Sequence, residues 1–108
     1  MALKTSRHQR LYNMMECKAK NKEYEVEMNI YEGEVRKLKN WGFEVEPIRR
    51  DPLNHEILFS RISWKSPWAG KSMSDEMLLY CCGMSSKPPK TTNMAERLFL
   101  VTYNARWN

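Results

Sequence analysis

The chain has 108 residues, of which 42% are hydrophobic and 29% charged, and its formal net charge is +5 at pH 7. This length suits one domain, residues 1–108, and leaves no room for two independent cores. Four tryptophans, five tyrosines and three phenylalanines argue against intrinsic disorder. No apolar run approaches the ~20 residues that span a membrane, and the first residues lack the apolar segment of a secretory signal. We therefore expect a cytoplasmic protein.

The cysteines indicate a reducing environment, and the charges are unevenly distributed along the chain. The chain has an odd number of cysteines, Cys17, Cys81 and Cys82, and the last two are adjacent. A vicinal disulfide needs a strained ring, so we expect reduced thiols. Positive charge is in excess in residues 1–22 and 47–108, whereas residues 23–46 carry seven acidic residues against three basic ones.

Residues 1–6 are expected to form a flexible arm, and one long helix is expected to follow it as far as Trp41. Apolar residues recur every three or four positions from Met14 to Leu38, and Gly42 suits the position after a helix end. An alternative remains open, because residues 23–30 alternate apolar and polar side chains with the period of a strand. Gly33 inside a helix would also cost roughly 1 kcal/mol relative to alanine. The helix is the preferred interpretation because its apolar seam continues on both sides of the disputed stretch.

The long helix would carry a second apolar stripe almost opposite the first. A helix that is apolar on two faces must be covered on both, so this stripe predicts either a protein interface or a face covered by the C-terminal segment. Self-association through it would make the protein a homodimer. The stripe consists of Met15, Ala19, Val26, Ile30 and Gly33.

A hairpin is expected after Gly42. Residues 43–47 alternate like a half-buried strand, which Pro47 marks as an edge or bulged strand. Residues 51–55 have turn chemistry, and residues 56–64 predict the second strand.

The C-terminal half is less regular. Residues 65–74 are expected to form a loop and residues 85–93 a mobile loop. The stretch 75–84 reads either as a helix starting at Ser74 or as a strand, with the strand slightly preferred, and residues 97–103 read as a strand. The expected fold class is α+β, with a long N-terminal helix packed on an antiparallel sheet of three or four strands.

The chain lacks a motif that would indicate catalysis. Residues 69–72 resemble the end of a phosphate-binding loop, but Lys65 stands where that loop needs a glycine, so a surface turn is expected. Two histidines and three cysteines without metal-ligand spacing predict no zinc site. Buried, structural cysteines are a better interpretation of Cys81 and Cys82 than a nucleophile. No paired acid–base site is expected among Asp51, Glu56, Asp75 and Glu76. We expect no enzyme, no cofactor and no small-molecule ligand.

Two kinds of binding partner remain. A protein partner would use the second stripe together with Trp68, since tryptophan is enriched at binding hot spots. The alternative partner is nucleic acid, bound by a basic hairpin patch with which Trp64 and Trp68 interleave as stacking platforms. That patch consists of Arg49, Arg50, Arg61, Lys65 and Lys71.

The stretch from Leu38 to Val45 runs a lysine-rich helix end into a Gly-Phe-x-Val hairpin. In this it resembles short accessory proteins encoded by bacteriophages and prophages. The resemblance covers less than a tenth of the chain. It implies a phage accessory or inhibitor role.

Overall fold

The computed structural model describes residues 7–68, 72–91 and 93–107. Within these residues a three-stranded antiparallel sheet has the order β1-β3-β2, so that β1 and β2 both pair with β3. The predicted α+β class is therefore confirmed, and the N-terminal helix contacts β1 and the C-terminal helix. The elements are α1 Arg7–Lys20, β1 Glu25–Tyr31, α2 Glu32–Asn40, β2 Glu44–Arg50, β3 Ile57–Ser63, α3 Asp75–Cys81 and α4 Met94–Trp107.

One face of the sheet is buried and the other carries the polar residues. Along β1 the burial alternates strictly, with Val26, Met28 and Ile30 buried and their neighbours exposed. This alternation follows from the two-residue period of a strand. The buried face meets α1, α2 and α4 in one core cluster, to which Leu11, Met15, Ala19, Leu38, Ile62, Trp64 and Leu98 belong.

The prediction of one long helix to Trp41 is wrong, and the strand alternative for residues 23–30 is confirmed. The helix α1 ends at Lys20, and Lys22 adopts a left-handed φ of 69°. The N–H of Glu23 donates to the carbonyl of Lys18 at 3.0 Å, and the N–H of Lys22 donates to that of Ala19 at 3.0 Å. These two bonds form a Schellman motif, which usually has glycine at the left-handed position. Lysine at this position gives no sequence signal that the helix ends.

The strand preferred for residues 75–84 is also wrong, because Asp75–Cys81 forms α3. The hydroxyl of Ser74 accepts a hydrogen bond from the N–H of Met77 at 3.2 Å, which is the N-cap arrangement of a helix start. Gly83, with φ 78°, follows the helix end. The helix-start signal at Ser74 was therefore the informative one.

The predicted strand 97–103 is part of α4 instead. Leu98, Phe99, Leu100 and Thr102 are all buried there, with α1 on one side and residues of α3 on another. A helix enclosed on several faces shows no amphipathic period, so a short apolar run of this kind cannot be distinguished from a buried strand.

The two hairpin strands and the glycine helix end are as expected. The strands β2 and β3 lie within one or a few residues of the predicted segments, and the pairing shifts register between Pro47 and Arg49. Gly42 has φ 95° and follows the end of α2. Its backbone lies so close to α4 that an added Cβ would come within 2.7 Å of the Asn93 side chain. The N–H of Ala95 donates to the carbonyl of Trp41 at 3.1 Å, which holds the N-terminus of α4 close to the chain just before β2.

Several expectations fall on residues that the structure does not describe. The flexible arm 1–6 and Lys71, with most of the 69–72 turn, lie outside the described residues. The described part of 85–93 belongs to no helix or strand, and its mobility stays a prediction. Among the described residues, none of the helices combines the length and the apolar character that crossing a membrane requires.

Candidate functional site

The second apolar stripe lies in the core. Met15, Ala19 and Ile30 have no exposed surface and Val26 is 6% exposed. The expectation that they form an exposed interface is wrong, because the end of α1 at Lys20 divides them between α1 and β1. The alternative, a face covered by the C-terminal segment, describes them better, since α4 packs against α1 in the same core. The stripe offers no surface for a homodimer. Gly33, the fifth member, lies exposed in the first turn of α2.

The basic hairpin patch is divided by the fold. On the face of the sheet opposite the core, here called the open face, Arg61 lies between carboxylates of both neighbouring strands. Its guanidinium nitrogens are 3.3 Å from Glu27, 3.5 Å from Glu46 and 3.8 Å from Glu25. The hydrogen bond and the charge of Glu27, followed by the charge of Glu25, raise the pKa of Arg61. The positive charge of Arg61 is thus balanced by glutamates of the protein itself.

The other members of the patch are dispersed. Arg50 pairs with Glu32 at 3.4 Å and donates to the backbone carbonyl of His55. Arg49 lies on the open face, with its guanidinium carbon 4.6 Å from the centre of the Phe59 ring. Lys65 is exposed beyond the opposite end of β3. Four glutamates, Glu25, Glu27, Glu44 and Glu46, share the open face with two arginines, so this face has an excess of negative charge.

The possible catalytic residues have structural surroundings. Burial is the main cause that raises the pKa of the half-buried Cys81, and the neighbouring Cys82 adds to it. A raised pKa reduces the thiolate fraction, which is the reverse of nucleophile activation. One carboxylate oxygen of Asp51 accepts from the N–H groups of Leu53 and Asn54, as in an Asx turn. The first turn of α3 contains Asp75 and Glu76, whose negative charges interact favourably with the helix dipole.

Within the described part of the chain, no group of three or more histidine, cysteine, aspartate or glutamate side chains is placed to hold a metal ion.

A groove of about 870 Å³ follows the outer edge of β2. Every residue from Gly42 to Glu46 lines it. Glu44, Val45 and Glu46 alternate between the two faces of the sheet, so a groove lined by all three follows the edge of the strand. In the sheet of the described residues, β2 pairs on one side only. We call this feature the β2 groove.

Trp68 forms part of the lining of the β2 groove. Its ring meets that of Phe99 edge-on, with the centres 4.9 Å apart and an interplanar angle of 74°. The contact fixes the indole against α4 and leaves part of it exposed. Trp64, by contrast, is fully buried and donates its indole N–H to the Thr102 hydroxyl at 2.9 Å. Of the two tryptophans near the hairpin, only Trp68 can meet a partner without unfolding.

The β2 groove is acidic as well as partly apolar. Glu44, Glu46 and Glu96 line it together with one lysine, Lys39. Glu46 is shared with Arg61 and Glu96 is buried, whereas Glu44 is exposed and forms no ion pair within the described residues. The partly exposed Val45 supplies apolar surface, and the buried Phe43 also contributes to the lining. The groove therefore combines a negative rim, apolar side chains and an unpaired strand edge.

Sequence reasoning singled out Trp68 but none of the β2 residues that line the groove with it. The available signal was Pro47, which marked the strand as an edge. What brings Trp68 to that edge is its contact with Phe99 on α4, and α4 was predicted to be a strand.

No protein-family model matches the chain, and neither a curated protein nor a solved structure matches it significantly. Its function must therefore be argued from the chain's own geometry.

Proposed function

We propose that this chain is a non-enzymatic protein-binding module, and that the β2 groove takes a segment of its partner with Trp68 as the aromatic anchor. One observation carries the proposal: the edge of β2, which pairs on one side only within the described residues, and the partly exposed Trp68 line the same groove. Strand edges supply backbone hydrogen bonds to a partner, and neighbouring pockets supply selectivity. Tryptophan is among the residues that contribute most to such interfaces.

The surroundings of the groove support this use. Pro67 is buried and Phe99 braces Trp68, so the anchor is held in place before a partner arrives. A braced side chain loses little conformational entropy on binding. A small binding module also suits the accessory or inhibitor role that the resemblance of Leu38 to Val45 implies.

Nucleic acid is the alternative partner, and the charges favour it less. Arg61 and Arg50 are engaged by carboxylates, and the open face on which Arg49 lies has an excess of glutamates. A phosphate backbone crossing this face would meet more negative than positive charge. Arg49 and Lys65 remain as exposed cations, separated along the hairpin.

The proposal is tested by selecting binders from a displayed library of random peptides, followed by affinity measurements on purified variants. We expect selected peptides to lose about 30-fold in affinity for Trp68→Ala, the effect of losing a typical hot spot. Trp107→Ala is the matched control, because Trp107 is 75% exposed and lines a different groove. Thermal unfolding of both variants verifies that the fold is retained.

Two results would count against protein binding at this groove. One is a selection without enrichment, and the other is a set of peptides that bind Trp68→Ala as tightly as the unaltered chain. Labelled single- and double-stranded nucleic acid, titrated with salt, form the second arm. Tight binding with a steep logarithmic salt dependence, lost in the double variant Arg49→Glu, Arg50→Glu, would favour the alternative.

A further inference from the structure

Resting on the proposed function, we infer that the partner segment is an extended strand that adds to the edge of β2, with basic side chains alternating with apolar ones. Three observations lead to this chemistry: the direction of the outward-facing backbone groups, the difference between the two sides of the edge, and the negative charge at the start of β2, where Glu44 and Glu46 lie.

The backbone direction follows from Pro47. A proline lacks an N–H group and is tolerated in a sheet where its nitrogen faces away from the neighbouring strand. Pro47 pairs with Ser60 of β3, so its nitrogen faces the outer edge. Backbone groups alternate in direction along an antiparallel strand, and Val45 lies two residues before Pro47. The N–H and C=O of Val45 therefore face outwards into the β2 groove.

The two sides of the edge differ in chemistry. On the open face a new strand would run beside Glu44 and Glu46, both exposed. On the core side it would run beside Val45, with Phe43 and Trp68 in the same groove. Successive side chains of a strand point to opposite faces. A complementary segment therefore places lysine or arginine at one set of alternate positions and apolar residues at the other.

The same charges argue against a second copy of this chain as the occupant. Symmetric pairing of two β2 edges about Val45, whose backbone groups face outwards, would place Glu44 of each copy opposite Glu46 of the other. Like charges on directly opposite strand positions are destabilising. A basic segment instead meets Glu44, which forms no ion pair within the described residues, and places a second cation beside Glu46, which Arg61 already contacts at 3.5 Å.

The edge available for addition is short. The register of β2 shifts between Pro47 and Arg49, and Ile48 is the extra residue. Such bulges interrupt the regular edge and twist it away. The added strand is therefore expected to pair with Glu44 to Pro47, which places its contact length at about four to six residues.

The test uses fluorescence anisotropy with a peptide of roughly seven residues that alternates lysine and valine, the length of an ordinary strand. A peptide of the same composition with its lysines grouped at one end keeps the charge and loses the alternation. We expect the alternating peptide to bind at least about tenfold more tightly than the grouped one, as an energy difference of about 1.4 kcal/mol requires. Equal affinities would overturn the inference and leave only non-specific charge attraction.

Two N-methylated versions of the alternating peptide test the backbone contact. We expect the added strand to run antiparallel to β2, as the strands of this sheet do. The residue opposite Val45 then lies on the same face as Val45, so it is an apolar one, and it exchanges backbone hydrogen bonds with Val45. Methylating the amides of the valines should abolish binding, while methylating those of the lysines should spare it. Equal effects of the two modifications would contradict strand addition.

Variants of the protein locate the charge contact. Glu44→Lys should weaken binding of the alternating peptide about tenfold at low salt, and Glu56→Lys is the control because it makes the same charge change in the turn, away from the groove. Equal effects of the two variants would overturn the site. If library-selected peptides depend on Trp68 while the alternating peptide fails to bind, strand addition is wrong and the proposed function stands. If neither the library-selected peptides nor the alternating peptide lose affinity for Trp68→Ala, both strand addition and the proposed function are wrong.

Discussion

Removing the hydroxyl of Thr102 tests how α4 is attached to the rest of the fold. Thr102 and Trp64 are both fully buried. The Thr102 oxygen accepts the indole N–H of Trp64 at 2.9 Å. Its own hydrogen can be donated to the carbonyl of Glu23 at 2.9 Å or to that of Leu98, in the same helix, at 3.1 Å. The hydroxyl thus joins α4, the end of β3 and the segment before β1.

The variant Thr102→Val keeps the shape of the side chain and removes the hydroxyl. It leaves the buried indole N–H without an acceptor, which costs about 1–3 kcal/mol, and it also removes the donor for the Glu23 carbonyl. We expect the free energy of unfolding to fall by about 2 kcal/mol, and Tm to fall by roughly 10 °C for a domain of this size. Urea unfolding followed by circular dichroism measures the change, with an unaltered m-value.

The matched control is Thr102→Ser, which keeps the hydroxyl and loses one buried methyl group at a cost of about 1 kcal/mol. The expected order of stability is threonine, then serine, then valine. A valine variant as stable as the serine variant would refute the reasoning. In a Trp64→Phe background the valine substitution should cost less, because no indole N–H is left to satisfy.

Two further predictions concern α1 and the cysteines. Lys22→Gly should stabilise the fold by about 0.5–1 kcal/mol, because glycine adopts the left-handed conformation without strain. Lys20→Gly, at the last residue of α1, loses the ion pair with Glu16 and should destabilise the fold by up to about 1 kcal/mol. The same sign for both variants in urea unfolding would contradict the Schellman assignment. Cys81 should be alkylated by iodoacetamide more slowly than the exposed Cys17 and Cys82 at about pH 8, because burial raises the pKa of Cys81 and reduces its thiolate fraction. Mass spectrometry of peptides from a time course measures the three alkylation rates. A Cys81 that reacts first would show that its packing against the cluster that includes Phe99 and Leu100 of α4 does not protect the thiol.

The hairpin shows how far local patterns can lead. The alternation of residues 43–47 and 56–64 predicted β2 and β3, and Pro47 predicted the edge position that defines the β2 groove. Gly42 predicted the end of α2. In each case the signal is a backbone restriction or a two-residue period that a few neighbouring residues carry entirely.

The errors arose where a local pattern had two solutions. The stretch 23–30 fitted both a helical seam and a strand, and the choice depended on Lys22, whose left-handed conformation has no sequence signal. The run Leu98 to Leu100 fitted a strand as well as a helix enclosed on several faces. Both decisions changed which residues lie on the surface and which in the core. They moved the candidate site from the second apolar stripe to the β2 groove.

Local patterns along the chain were sufficient to predict the α+β class, the hairpin and the edge position of β2. These depend on composition and on short periods along the chain. Only the tertiary structure decided that α1 and α4 pack together, that Arg61 is enclosed by Glu25, Glu27 and Glu46, and that Phe99 holds Trp68 in the groove lined by the edge of β2. Those contacts join residues distant in sequence, and their energies depend on packing that no local window contains.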